Sequence, residues 1–220
     1  MKTGSAGGVP VVLAIGVALL SGRDVVAQVS SVDVAEVMRC FEATVHNLEL
    51  EPPDRAQLSC KAPSHYFQRD AYPTAVVEQV LDGLEDLSRS SAEARVRRSA
   101  VTAIALLGHR DRASGIPIVP RLARLFDGSP FSEVRFIALQ GARFQEDGAA
   151  AASFLGSVAD RPQPDDGAYH FTMPETAVIG LASLGKPGRV ELERLANDPE
   201  ATHVSGFARS MLLRLDGPPM

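Results

Sequence analysis

Arginine is the residue type through which this chain could recognise a charged partner. Between Arg89 and Arg124 the sequence holds eight arginines against only Glu93 and Asp111. Guanidinium groups attract carboxylates, phosphates and sulfates, so this segment predicts a site for an anionic partner such as an acidic protein, a polysaccharide, a lipid headgroup or a nucleic acid. The candidate binding residues are Arg95, Arg98, Arg121 and Arg124. The alternative is that Arg97 has a structural role and the other arginines lie on a solvated helix face.

A second candidate site lies in residues 160–171, DRPQPDDGAYHF. A polar stretch with two prolines cannot join a helical core, so we expect it to project as a loop. Aromatic side chains on a loop held by a rigid scaffold are typical of binding sites. The candidate residues are Tyr169, His170 and Phe171. The alternative is that Tyr169 or Phe171 packs back onto the protein's own helices.

Catalysis and metal binding are not predicted. The five histidines are scattered, with no i,i+4 pair: His46, His65, His109, His170 and His203. The sequence has no glycine-rich phosphate loop, nucleophile elbow or metalloprotease motif. We therefore expect a protein that is not an enzyme and that carries neither a metal nor another cofactor.

The first 27 residues have the features of an export signal. Lys2 precedes an uncharged, largely apolar run of 12 residues from Val9 to Leu20, and Val25-Val26-Ala27 has the small-residue spacing of a signal-peptidase site. The run is shorter than the ~20 residues that a membrane-spanning helix needs. We therefore predict a periplasmic or secreted protein whose mature form has no membrane span. An uncleaved N-terminal membrane anchor is the alternative.

Export changes how the two cysteines are interpreted. Cys40 and Cys60 lack the paired C-x-x-C spacing of zinc sites. In an oxidising compartment a disulfide between them would close one loop and stabilise the fold by about 3 kcal/mol in the chain-entropy model. We predict this disulfide, with two buried thiols as the alternative.

Composition favours an all-α fold. Aromatic residues make up 5% of the chain and tryptophan is absent, which suits helix-on-helix packing better than a β-sandwich. The formal net charge is −5. This charge argues against a general nucleic-acid binder, because such proteins are more often basic.

A short helical phrase recurs along the chain. AVTAIALLG ends at Gly108 and AVIGLASLG at Gly185, and looser copies start at Val134 and Val204. Self-similarity of this kind predicts a repeat architecture built from pairs of helices. The predicted pairs occupy residues 72–108, 115–144, 149–185 and 189–215, after a helix over 31–48. Residues 51–71 are predicted as a loop or short helix that covers the end of the array, since a terminal repeat has no neighbour on its outer face.

Apolar residues at helical spacing define the predicted core faces of these helices. The inward positions of the second pair are Ile118, Val119, Leu122, Leu125, Phe126, Val134, Ile137, Ala138, Gly141, Ala142 and Phe144. Those of the last helix are Val204, Phe207, Ala208, Met211, Leu212 and Leu215. Capping boxes are predicted at Ser90 with Glu93 and at Thr172 with Glu175.

The segment GIPIVPRLARLFDGSPFSEVRFIAL, from Gly115 to Leu139, resembles a HEAT repeat of the short type found in phycobilisome-lyase-like proteins. The resemblance rests on an aliphatic-proline first helix, an acidic turn and a V-R-x-x-A second helix. VRRSAVTAIALLG and RVELERLANDPE match parts of the same unit. It covers about residues 73–215 and implies a right-handed superhelix of helix pairs with a concave face.

The resemblance also implies roles for particular residues. The arginine of the V-R pair, Arg97 in the first unit, would bond between successive repeats, whereas Met173-Pro174 and Val204-Ser205 replace that pair in the third and fourth units. HEAT-like di-iron hydroxylases use His-Glu pairs as metal ligands, and this sequence has no His-Glu pair.

We therefore expect three regions. Residues 1–27 form a signal peptide, 28–71 an N-terminal helical cap, and 72–216 a right-handed α-solenoid of about four HEAT-like helix pairs. The expected function is non-catalytic binding of a protein or another macromolecule along the concave face. The alternative is a lyase-like or accessory component that cradles a tetrapyrrole or another anionic ligand.

Overall fold

The computed structural model describes residues 34–47, 74–109, 115–162 and 170–217. Over these residues the regular secondary structure consists of nine α-helices and one isolated two-residue bridge. The all-α prediction is confirmed. The predicted signal peptide, Cys60 and Tyr169 lie outside the described residues, as does the side chain of Cys40, so the disulfide stays a prediction.

The helices follow the predicted segments closely. They are α1 Val34–Asn47, α2 Thr74–Ser90, α3 Ala94–Leu107, α4 Val119–Gly128, α5 Ser132–Ala142, α6 Gly148–Ala159, α7 Met173–Ala182, α8 Lys186–Asn197 and α9 Ser205–Asp216. In the described ranges, no helix is both long enough and apolar enough to cross a lipid bilayer.

The helices pack in two layers. α2 packs on α3, α4 on α5, α6 on α7, and α8 on α9. The second helices of these pairs, α3, α5, α7 and α9, contact one another in chain order and form the second-helix layer. The first helices, α2, α4, α6 and α8, do the same and form the first-helix layer. α1 contacts both α2 and α3, so it covers the start of the array.

The apolar core lies between the two layers. Its largest fully buried apolar side chains are Leu81, Leu84, Val101, Ile104, Leu122, Leu125, Leu139, Leu155, Leu181, Leu192 and Leu195. Every inward position predicted for α4 is buried. Two positions predicted as inward in the second pair are not: Ile137 is half-buried and Phe144 is 37% exposed.

The last helix also departs from its predicted burial. α9 begins at Ser205, and Ala208 is its one fully buried residue. Leu215, predicted to face inward, is 45% exposed, and Phe207 is half-buried. Among the described helices α9 packs mainly on α8 and α7, which leaves its remaining sides exposed.

The structure distinguishes the two predicted capping boxes. Thr172 accepts a hydrogen bond from the Glu175 N–H, and Glu175 accepts one from the Thr172 N–H at 2.9 Å, so this box is confirmed. The box at Ser90 is wrong, because α2 runs through Ser90 and its hydroxyl donates to the carbonyl of Asp86. The residue preceding α3 is instead Glu93.

The glycines that end the recurring phrase serve different physical purposes. A Cβ on Gly108 would come within 1.9 Å of Gln145 Oε1, so this position requires the absence of a side chain. Gly185 has a φ of 64°, a backbone conformation that glycine adopts without steric cost. Glycine therefore recurs for two reasons, which are close packing at Gly108 and a positive φ at Gly185.

Candidate functional site

α3 and α5 lie side by side and parallel in the second-helix layer. Arg97 of α3 bonds to Glu133 of α5, and Ala105 faces Gly141. In both of these pairs the residue numbers differ by 36. A constant offset along two helices arises when the helices run in the same direction. Beyond the ends of the two helices, His109 and Gln145 form the isolated antiparallel bridge.

Small residues bring the two helices close together at their centre. A Cβ built on Gly141 would come within 2.6 Å of the Ala105 Cβ. Neither Ala105 nor Gly141 has side-chain atoms beyond Cβ, so the larger side chains on either side project above the line where the two helices meet. The result is an open depression along the solvent-exposed surface of the two helices.

This depression is the α3–α5 groove, which has a volume of about 310 Å³. Its lining is largely apolar and consists of Thr102, Ala105, Leu106, His109, Ile137, Gln140, Gly141 and Phe144. Leu106 is 40% exposed and Phe144 is 37% exposed. The His109 ring stacks on the Phe144 ring, with 5.7 Å between the centroids, and closes one end of the groove.

Gln145 fixes that end of the groove. Its side chain is buried and its amide donates to the carbonyl of Ala105 at 3.0 Å and to the carbonyl of Gly141 at 2.8 Å. These carbonyls lie near the C-terminal ends of α3 and α5, where helices leave acceptors unpaired. One side chain therefore joins the two helices and holds their register.

Arg97 joins the two helices at the opposite end. Its Nε donates to Glu133 at 2.9 Å, and its Nη1 donates to the carbonyls of Ser91 and Ala92. Its guanidinium carbon lies 3.7 Å from the centroid of the Phe131 ring. Arg97 thus links successive helix pairs, which is the structural role that the sequence offered as the alternative to partner binding.

The predicted basic patch is divided between the two layers. Arg95 and Arg98 lie on α3, where Arg95 is half-buried and Arg98 is exposed. Arg121 and Arg124 lie on α4 and bond to α2, where both donate to the buried carboxylate of Glu85, at 2.7 and 2.9 Å. The structure therefore leaves Arg98 beside the groove and engages Arg121 and Arg124 in links between first helices.

The cluster around Glu85 brings three arginines together with two carboxylates, so one positive charge remains in formal excess. Glu85 also accepts from Arg89, and Arg121 donates to Asp82 at 2.6 Å. Burial lowers the pKa of Arg121, but its hydrogen bonds to Asp82 and Glu85 outweigh that effect, so its pKa is raised overall. Arg121 therefore stays charged and is compensated within the protein.

Similar ion pairs continue along the first-helix layer. Arg161 donates to Asp127 at 3.0 Å, and Arg194 donates to Asp160 at 2.8 Å. Both pairs are about half exposed, and exposed pairs contribute little to stability. The hydrogen bond to Asp160 is the largest of the effects that raise the pKa of Arg194. These arginines thus join successive helix pairs.

The aromatic residues predicted on the insertion lie at the other end of the array. His170 and Phe171 are exposed and their rings meet edge to face. The Phe171 ring lies 6.0 Å from the Phe207 ring of α9. Phe171 therefore packs against the protein's own helix, as one of the two sequence interpretations proposed, and it is distant in the chain from the groove.

Sequence reasoning missed the groove itself. It assigned Ile137 and Phe144 to the core, and it singled out neither Leu106 nor Gln145. A usable signal was present, because Ala105 and Gly141 are small residues at facing positions of neighbouring helices, and each is followed within three residues by a bulky apolar side chain. A single sequence does not fix the lateral register that makes these residues neighbours.

Within the described ranges, no group of three or more His, Cys, Asp or Glu side chains is arranged to hold a metal ion. The lining of the groove combines apolar walls with a few polar side chains. No protein-family model matches the chain. No curated protein sequence matches it significantly.

Proposed function

We propose that this protein is an exported, non-catalytic α-solenoid of HEAT-like helix pairs that binds another macromolecule in the α3–α5 groove. The array would be right-handed with four pairs, and the second-helix layer would line its concave face. In support of that curvature, the second helices contact one another more extensively than the first helices do over the first three pairs, whereas α6 and α8 contact each other more than α7 and α9 do. The layer with the closer helices lies on the inside of a curve, so this support comes from the first three pairs.

The exposed apolar surface of the groove carries this proposal. Leu106 and Phe144 belong to the few large apolar side chains that are exposed among the described residues. Both line the groove together with Ile137. Contiguous exposed apolar surface bordered by polar groups is typical of protein–protein contact sites. Gln145 and Arg97 hold the groove open at both ends, so little ordering would be needed on binding.

A lyase-like or accessory role with a tetrapyrrole or another anionic ligand is the second candidate. The groove is at the lower limit of the ~300–1,000 Å³ typical of small-molecule sites, and it is open to solvent along its length. The geometry therefore favours a macromolecular partner over an enclosed chromophore.

Comparative affinity capture from the native extracellular or periplasmic fraction tests the proposal. The mature chain, its Leu106→Glu variant and its Leu213→Glu variant serve as baits, and bound proteins are quantified by mass spectrometry. Leu213 is 74% exposed on α9 and gives a matched control. We expect a partner retained by the mature chain and by Leu213→Glu and lost with Leu106→Glu.

Equal retention by all three baits would contradict the proposal. An absorption spectrum of the purified protein separates the second candidate, because a bound tetrapyrrole absorbs visible light. A copurified chromophore whose occupancy falls in Leu106→Glu would favour the ligand-cradling role.

A further inference from the structure

The α3–α5 groove has features that select one class of partner. Its central line, at Ala105 and Gly141, carries no side chain beyond a Cβ. Leu106, Ile137 and Phe144 form its apolar walls. An apolar cavity of roughly 150 Å³ can hold one benzene-sized group, so a groove of about 310 Å³ can hold two apolar side chains of leucine or phenylalanine size.

The length of the groove favours a helical partner. At about 1.5 Å per residue, α3 from Arg98 to Leu107 extends about 14 Å, which is the length of about two and a half helical turns. A partner strand would need an open sheet edge with which to form backbone hydrogen bonds. The described residues offer only helices and one isolated bridge, so the partner's apolar side chains must supply the contact. An amphipathic helix presents such side chains on one face at i, i+3, i+4 and i+7.

The charges beside the groove favour an acidic partner. α3 carries three arginines and no acidic residue between Ala94 and Leu107. Glu133 bonds to Arg97, and the charge of Arg98 also helps to lower the pKa of Glu133. Arg98 is exposed and precedes Thr102 of the groove by one helical turn. At the other end, the guanidinium carbon of Arg143 lies 4.3 Å from the centroid of the Phe144 ring. Arg98 thus places an exposed positive charge at one end of the apolar surface, although the whole chain is acidic.

We propose that the α3–α5 groove binds an acidic amphipathic helix of a partner protein. Two apolar side chains of that helix insert between Leu106 and Phe144, and a carboxylate one to two turns away contacts Arg98. This inference rests on the proposed macromolecule-binding function and adds the structure and charge of the bound segment. Nucleic acid fits the groove less well, because its apolar walls offer no partner to phosphates.

Fluorescence anisotropy with designed helical peptides of roughly 15–18 residues tests the inference. One peptide carries a leucine face flanked by glutamates, the second replaces each glutamate with lysine, and the third scrambles the first to destroy its apolar face. At an ionic strength of about 0.02 M, where charges are weakly screened, the acidic amphipathic peptide is expected to bind at least about fivefold more tightly than the other two.

Protein variants locate the binding. Leu106→Glu is expected to weaken binding of the acidic peptide at least about tenfold. Arg98→Glu is expected to weaken it about fivefold and to tighten binding of the lysine peptide. Leu213→Glu and Arg214→Glu, both at exposed positions of α9, should leave both affinities unchanged. Thr102→Glu, also exposed in the groove, replaces Leu106→Glu if circular dichroism shows that the latter is unfolded.

The inference is overturned if the lysine or scrambled peptide binds as tightly as the acidic one, or if no peptide binds. It is also overturned if a single-stranded oligonucleotide binds more tightly and Leu106→Glu has no effect. The proposed function stands separately on affinity capture. If a captured partner depends on Leu106 but the acidic peptide does not bind, the groove remains the proposed binding surface. The inference that its partner is an acidic helix is then rejected.

Discussion

Gly141 of α5 lies directly against Ala105 of α3, so close that a Cβ on Gly141 would come within 2.6 Å of the Ala105 Cβ. Gly141→Ala is therefore expected to force the helices apart and to destabilise the fold. Overpacking costs about 1–3 kcal/mol of stability. The higher helix propensity of alanine over glycine contributes about 1 kcal/mol in the opposite direction, so we expect a net loss. Urea denaturation measures the difference.

Gly206→Ala is the matched control for this substitution. Gly206 lies in α9 and a Cβ there would have no neighbour within 4 Å, so alanine should stabilise the protein by up to about 1 kcal/mol. The close approach would be contradicted if both variants were stabilised equally.

Glu85 is the acceptor on which three arginines converge, and its side chain is 6% exposed. Glu85→Ala removes one of the two carboxylates that accept from Arg121, which is itself mostly buried, and leaves Arg121 with the exposed Asp82. We expect a loss of about 2–3 kcal/mol in the free energy of unfolding, because removal of one partner of a buried pair is costly. Asp127→Ala breaks the exposed pair with Arg161 and should cost less than about 1 kcal/mol. Equal losses in the free energy of unfolding for Glu85→Ala and Asp127→Ala would contradict this prediction.

The bond between Arg97 and Glu133 predicts a pH dependence of stability. Burial raises the pKa of Glu133, but hydrogen bonding to Arg97 and its charge outweigh that effect, so the pKa lies below its ordinary 4.5. A carboxylate with a lowered pKa stabilises the fold above its unfolded pKa, and this stabilisation is lost as the pH falls through the folded pKa. The stability difference between the wild type and Glu133→Gln should therefore be full at pH 7 and shrink as the pH falls below 4.5.

Urea unfolding between neutral and acidic pH provides this measurement. Repeating it in an Arg97→Gln background provides the control, since the substitution of Glu133 should then change the pH profile much less. A difference that stays constant with pH, or that survives the loss of Arg97, would reject the assignment.

Thr172 begins α7 with a capping box that includes Glu175. Thr172→Ala removes the hydroxyl acceptor of the Glu175 N–H, and we expect destabilisation by about 1 kcal/mol. Thr202→Ala, at an exposed turn position, should change stability by less than about 0.5 kcal/mol. Thermal unfolding followed by circular dichroism compares the two, and equal midpoints would show that the cap contributes nothing.

The helices were predictable from the sequence because their signals are local. The stripe Leu122, Leu125 and Phe126 marks the buried face of α4, and proline and glycine mark the turns beside it. The capping box at Thr172 needs only residues within one helical turn. The prediction at Ser90 was wrong because a serine followed three residues later by a glutamate can lie at the end of one helix as well as at the start of the next. Only the length of α2, which runs through Ser90, decides between these two positions.

The groove was not predictable because it depends on the register between helices. Arg97 and Glu133 are 36 residues apart, and nothing in the period of either helix specifies that they meet. Phe144 follows the apolar pattern of α5 but lies just beyond Ala142, where the helix ends, so the helical period no longer determines its direction. The same lack of register information made Arg121 appear available to a partner although it bonds to α2.

Site-specific photo-crosslinking in the cells that produce this protein tests the central claim most directly. A benzophenone amino acid is placed at position 106 in the groove or at position 213, where Leu213 is 74% exposed outside it. The account predicts a discrete covalent adduct with a partner protein from position 106 and none from position 213. No adduct from position 106, or an equal adduct from both positions, would contradict the assignment of the α3–α5 groove as the binding surface.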